Sequence, residues 1–219
     1  MPASLIGAAF RSSKLNECYL FVKERYVILD YNTLRKDLIS GPVDIDAGFP
    51  MFSKTIFKRG IDSSFETDGN VAYFFSKSQC VKTDYAPRSG PAAARIVIGP
   101  IEIVEMFPSL VTTPFANGID AALIRHNGSS EVYLFKGNMC CILDYKSNDV
   151  YNLINITYHY PAFFNTVFKD GIDAAFTSHS GSEIFIFKGE HCARINLAGE
   201  FIGGIKRIHD DWPTLRGII

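Results

Sequence analysis

The residues best placed for chemistry in this chain are a recurring acid beside two small side chains. Asp62, Asp120 and Asp173 stand in "RGIDSSF" (59–65), "NGIDAAL" (117–123) and "DGIDAAF" (170–176), and Gly7 holds the matching place in a worn "LIGAAF" (5–10). Successive positions lie 55, 58 and 53 residues apart. A carboxylate in this setting suits two roles: hydrogen bonding to a neighbouring turn, or service near an oxygen-rich site for a hard cation. A second acid recurs as Asp30, Asp84, Asp144 and Asn196, where turn capping or pairing with basic groups is the expectation.

Other chemistries find little support. No G-x-S-x-G, Walker loop or post-strand G-x-G-x-x-G is present. His126, His159, His179, His191 and His209 follow no metal spacing. His126 and His179 fall in equivalent turns, which predicts exposed residues. With no nucleophile–base–acid set, the chain reads as a binding protein and not an enzyme. The five cysteines are odd in number and form no C-x-x-C, so free thiols are expected over a disulfide framework or a zinc site. Tyr26, Cys80, Cys140 and Cys192 are equivalent positions, expected to pack as small or aromatic hydrophobes; Cys18 and Cys141 adjoin strand positions. The net charge of −1 gives no reason to expect nucleic acid or a membrane surface as partner. No apolar run approaches the roughly 20 residues of a membrane span. The start "MPASLIGAAF" lacks a basic and then apolar leader, so the cytosol is the expected location, where the Asn127-Gly128-Ser129 and Asn155-Ile156-Thr157 sequons would stay idle.

The elements that must position the acids follow from the repeat. Phe57, Phe115 and Phe168 lie five residues before the three aspartates, with Thr55, Thr113 and Thr166 two residues earlier. Five residues before each threonine comes an aromatic–proline pair, Phe49-Pro50, Phe107-Pro108 and Tyr160-Pro161, and Trp212-Pro213 is a fourth. Each unit reads as a small-residue strand, a polar turn, and an apolar run ("ECYLF", "VAYFF", "EVYLF", "EIFIF"). A third strand, a variable loop, a last strand and a short helix begun by the proline complete it. Apolar runs without alternation indicate sheets buried on both faces. The fold class is therefore all-β: a four-bladed β-propeller with four antiparallel strands per blade and short helices between blades. It forms one domain over 1–219, with blades at about 4–55, 56–113, 114–166 and 167–219. The first strands would line a central channel, where only small residues such as Ala8-Ala9, Ser63-Ser64, Ala121-Ala122 and Ala174-Ala175 fit.

The pattern G-[IV]-D-A-A-F, E-[VI]-[YF]-[LI]-F-K-G and aromatic-Pro resembles the haemopexin repeat from about residue 5 to the end. Total length and the ending "DDWPTLRGII" are most similar to the albumin-2 proteins of legume seeds, built from four such repeats. The resemblance implies ions in the channel. Main-chain oxygens of Gly7, Asp62, Asp120 and Asp173 would hold calcium or sodium, and Ala9, Ser64, Ala122 and Ala175 would ring chloride or a second cation. It also implies a seed storage role, binding of a polyamine such as spermine or of haem, and a monomer–homodimer equilibrium, redox-sensitive if a cysteine is at the surface. Spermine is expected at the channel mouth, between the acids and aromatic walls. Haem is expected on a face or between subunits, near Arg11, Arg125 or His209, with His191 or His209 in reach of its iron. The alternatives are a lectin-like, haemagglutinating module that recognises a glycan, and a storage protein with no specific ligand. No cysteine stands near both ends to clamp first and last blades, so the tail "LRGII" is expected to pack on blade one, whose first strand should begin near Leu5.

Overall fold

A computed structural model describes residues 4–33, 36–125 and 128–219. The first blade contains β1 (Ala8–Arg11), β2 (Glu17–Val22), β3 (Arg25–Asp30) and β4 (Asp37–Asp44). The second contains β5 (Ser63–Glu66), β6 (Val71–Ser76), β7 (Gln79–Asp84) and β8 (Arg95–Glu102). The third has β9 (Ala121–Ile124), β10 (Glu131–Lys136), β11 (Met139–Asp144) and β12 (Asp149–Asn155). The fourth has β13 (Ala174–Thr177), β14 (Glu183–Lys188), β15 (His191–Asn196) and β16 (Phe201–Arg207). Each sheet is an antiparallel meander in chain order. The four first strands touch in a closed ring, β1 and β9 each against both β5 and β13. This is a four-bladed propeller.

Burial explains the composition of the strands. Second strands such as β2 are covered along their whole length, because each sheet is sandwiched between two neighbours. Instead of one central core there are four, each shared by adjacent blades. The core between blades one and two packs Phe10 on Tyr19 with ring centroids 4.7 Å apart. Blade four meets blade one through Trp212, Phe185 and Leu215 on one side and Ile6, Leu20 and Leu29 on the other, with Ile218 and Ile219 alongside. The C-terminal tail therefore closes the ring without a covalent clamp. The first strand starts at Ala8, three residues later than the sequence suggests, and in every blade the strand opens one residue after the Gly7/Asp position.

The connectors repeat as closely as the strands. A four-residue helix (α1 Ile45–Gly48, α2 Ile103–Met106, α3 Ile156–His159, α4 Ile208–Asp211) ends at a buried aromatic, Phe49, Phe107, Tyr160 or Trp212. The following proline then opens a 3₁₀ turn, where its missing N–H costs nothing. In the first three connectors a threonine caps a second 3₁₀ turn: the Thr55, Thr113 and Thr166 hydroxyls accept from the N–H groups of Phe57, Phe115 and Phe168. These caps fix the chain direction just before the channel positions.

Candidate functional site: the axial channel

Gly7, Asp62, Asp120 and Asp173 converge on one cavity of about 290 Å³ at the mouth of the channel. Their N–H groups donate to the carbonyls of Phe21, Phe75, Phe135 and Phe187 at 2.8–2.9 Å. The carboxylates turn away to tie down the next hairpin of their own blade. Asp62 accepts from the Lys77 N–H at 2.6 Å and Asp120 from the Gly137 N–H at 2.7 Å. Asp173 accepts from the Gly189 N–H at 2.8 Å and from Lys188 Nζ at 2.7 Å. The turn-shaping role is thus filled at all three. Gly7 has no side chain to contribute, and none would fit: a Cβ there would stand 2.8 Å from the Ile61 carbonyl oxygen. The backbone ring continues through it regardless.

The carbonyl oxygens of these four residues receive no hydrogen bond among the described residues. They are the donors left over for a hard cation, which takes several oxygens at an open, partly hydrated site. Among the described residues no cluster of histidine, cysteine, aspartate or glutamate side chains could hold a metal, so only main-chain ligation fits here.

The next ring, Ala9, Ser64, Ala122 and Ala175, is buried, as the crowding of four backbones requires. The Ser64 hydroxyl donates to the Ala9 carbonyl across the first two blades at 3.1 Å, so one oxygen of that ring is already engaged. The buried Ser63 hydroxyl beside it has no hydrogen-bond partner among the described residues. At the far ends of the inner strands Arg11 Nε meets Glu66 Oε1 at 3.2 Å, and Arg11 Nη1 donates to the Ser178 carbonyl at 3.1 Å. The Thr177 hydroxyl donates to the Ile124 carbonyl at 3.0 Å. Burial raises the Glu66 carboxyl above its ordinary range, and the Arg11 charge offsets that rise only in part. The channel is polarised: open and oxygen-rich at one end, crossed by an ion pair at the other.

Other expected sites sort clearly. The second acids cap turns: Asp30 accepts from Asn32 N–H, Asp84 from Ala86, Asp144 from Lys146 and Ser147, and Asn196 from Ala198. Asn155 caps α3 and accepts from Thr157. All five cysteines are free and buried, which removes the expected surface thiol for a redox-linked dimer. The channel mouth is lined by Lys77 and Lys136 along with the acids and by no aromatic residue among those described, contrary to the expected aromatic walls. Arg11 is committed to Glu66 and Arg125 to Glu131, leaving neither as a spare partner for haem propionates. His126 and Asn127 lie outside the described residues.

His179 departs most from its sequence reading. Instead of an exposed turn residue it is half-buried at the seam between blades four and one. Its Nδ1 accepts from the Asn16 N–H at 3.1 Å and faces the Tyr31 hydroxyl at 2.5 Å, while Nε2 meets the Ser12 carbonyl at 2.9 Å. The His179 N–H donates to the same tyrosine oxygen at 2.7 Å. That network assigns the neutral Nε2–H tautomer, since Tyr31, accepting from the backbone, gives its own proton to Nδ1.

No protein-family model matches the sequence. Albumin-2 of Pisum sativum is 42% identical over 224 residues, spanning 98% of this chain and 96% of that protein. A Cicer arietinum structure described as a plant lectin with two metal binding sites is 44% identical, with a TM-score of 0.92 and coverage of 98% of both chains. The cow pea structure described as a hemopexin fold protein superposes with a TM-score of 0.93 at 39% identity, covering 99% of each chain. Among the described residues no helix is long and apolar enough to cross a membrane. With identity of this level along nearly its whole length, and the same four-bladed ring, the chain belongs to the albumin-2 family of seed albumins.

Proposed function

We propose that this seed albumin is a non-enzymatic ligand-holding protein whose axis carries a hard cation, calcium or sodium, on the main-chain oxygens of Gly7, Asp62, Asp120 and Asp173. One observation carries the reading: four repeat positions converge on a single cavity with their carboxylates engaged elsewhere and their carbonyls unengaged. The buried ring of Ala9, Ser64, Ala122 and Ala175 below is the place for chloride or a second ion. The two metal binding sites in the description of the Cicer arietinum relative support an axis with more than one ion. An extended polyamine such as spermine would meet Lys77 and Lys136 as well as the three acids, so the mouth favours one compact cation.

Because only the folded ring assembles the four oxygens, bound cation stabilises it by mass action. Stripping the protein with a chelator in sodium-free buffer should lower its melting temperature, and added calcium should restore it. An identical melting temperature in both states would end this reading. A second reading, glycan recognition, is favoured by the description of that relative as a lectin. Its test is red-cell agglutination by the metal-loaded protein, reversed by a competing glycan. Protein that neither shifts with cation nor agglutinates is better read as a nitrogen store of the seed.

A further inference from the structure

The four second strands begin with Glu17, Val71, Glu131 and Glu183, so blade two alone lacks a carboxylate at this position. What the carboxylate does is plain in blade four. Arg194, opposite Phe185 on the neighbouring strand, pairs with Glu183 at 3.3 Å. Blade two puts a cation in the equivalent place, Lys82 opposite Tyr73, but Val71 stands where the acid would be. Lys82 Nζ lies over the Tyr73 ring, 5.5 Å from its centroid. From blade three, Lys146 Nζ lies 5.9 Å from the centroid of Tyr145. Among the described residues neither lysine has a carboxylate within ion-pair distance.

These groups share a cavity of about 410 Å³ between blades two and three, with Thr67 and Asp68 at its side. Its floor is aromatic: the Tyr73 and Tyr145 rings are 6.0 Å apart and inclined at 49°, and Phe65 packs behind Tyr145 at 5.8 Å. Burial pushes the Tyr73 phenol up to about 12 and raises Tyr145 as well, so both stay neutral donors at physiological pH. The groove carries two ammonium groups against the one carboxylate in its lining, Asp68, over two tilted rings, an arrangement that suits an anion with a flat apolar body.

We propose that the groove between blades two and three binds a small aromatic carboxylate, its ring on Tyr73 and Tyr145 and its carboxylate between Lys82 and Lys146, in the role Glu183 plays for Arg194. The site shares no lining residue with the channel mouth.

The test is calorimetric titration of 4-hydroxybenzoate into the full-length protein, with and without chelator. Wild type should bind in both conditions, and neutral 4-hydroxybenzyl alcohol should bind about tenfold more weakly or worse, as loss of a charged hydrogen bond implies. Lys82→Gln should weaken binding by a similar factor. Val71→Glu should do the same by installing the missing internal partner, with the melting temperature of each variant showing that it is folded. Absence of heat with the wild type, or equal affinity in wild type and both variants, would overturn the proposal.

Discussion

Acid should open the propeller at one seam, and His179 sets where. Its ring takes part in three hydrogen bonds that join blade four to Asn16, Tyr31 and Ser12 of blade one. At a net value of roughly 0.5–1.5 kcal/mol each, and discounting for a half-exposed ring, His179→Ala should cost about 2 kcal/mol near neutral pH. In a protein of this size that corresponds to a fall of about 5 °C in melting temperature. Protonation attacks the same bonds, because a charged ring has no acceptor for Tyr31 or Asn16. Burial, and then the positive charge of Arg11, hold the His179 pKa below 6.5 in the fold. The folded state thus binds the proton less readily than the unfolded chain. The stability the neutral ring contributes is complete above pH 6.5 and is lost as pH falls below it, with a slope of at most about 1.4 kcal/mol per pH unit. Urea denaturation of wild type and His179→Ala at several pH values from about 8 to 5 isolates the effect, since other titrating groups are common to both. The gap between the two proteins should narrow as the medium is acidified. A gap that stays constant across the range would refute the neutral-acceptor assignment.

Three further outcomes are expected. Deleting residues 214–219 removes the fully buried Leu215 and the Ile218–Ile219 contact with blade one, and should cost at least about 3 kcal/mol by urea denaturation. Burial raises Cys140 to about 11 and Cys192 to about 12, with Cys18, Cys80 and Cys141 raised as well. Ellman's reagent at pH 8 should therefore find no fast thiol in the native protein and five after denaturation. Gly48→Ala should cost about 1–3 kcal/mol because its Cβ would collide with the Tyr26 ring, and adding Tyr26→Cys, the residue type of the other three blades, should relieve the collision.

Much of the architecture was legible because a propeller imposes the same demands four times. Small residues at Ala8-Ala9 and their counterparts, acids at the strand starts and prolines after buried aromatics are each forced by local geometry, so they survive as a visible register. The convergence of Gly7, Asp62, Asp120 and Asp173 followed from that register, and so did the buried, inert cysteines at Tyr26-equivalent positions. The seam was not legible: Ser12, Asn16 and Tyr31 lie about 150 residues or more from His179, and nothing local distinguishes that histidine from a solvated turn residue. Nor was the presence of lysines at the channel mouth, since Lys77 and Lys136 reach it from hairpins that the inner-strand motif does not include. The lysine of blade two without an ion-pair partner did leave a signal, valine against three glutamates at the head of the second strand, but its meaning depends on the register that sets Lys82 beside it.

The four cores between blades bear on how such a chain can grow. In a linear array of repeats the units outnumber the interfaces by one, and specialised ends must shield the exposed faces. Closure into a ring makes the two numbers equal, so among the described residues the apolar faces of every blade are covered by its neighbours. An extra repeat could not simply be appended, as it can in a solenoid, because a fifth wedge would change the angle at every existing interface at once. Loss of one repeat would likewise leave two unmatched faces. The length of this protein is therefore quantised by geometry, and variation is confined to the loops, the outer strands and the grooves between neighbouring wedges.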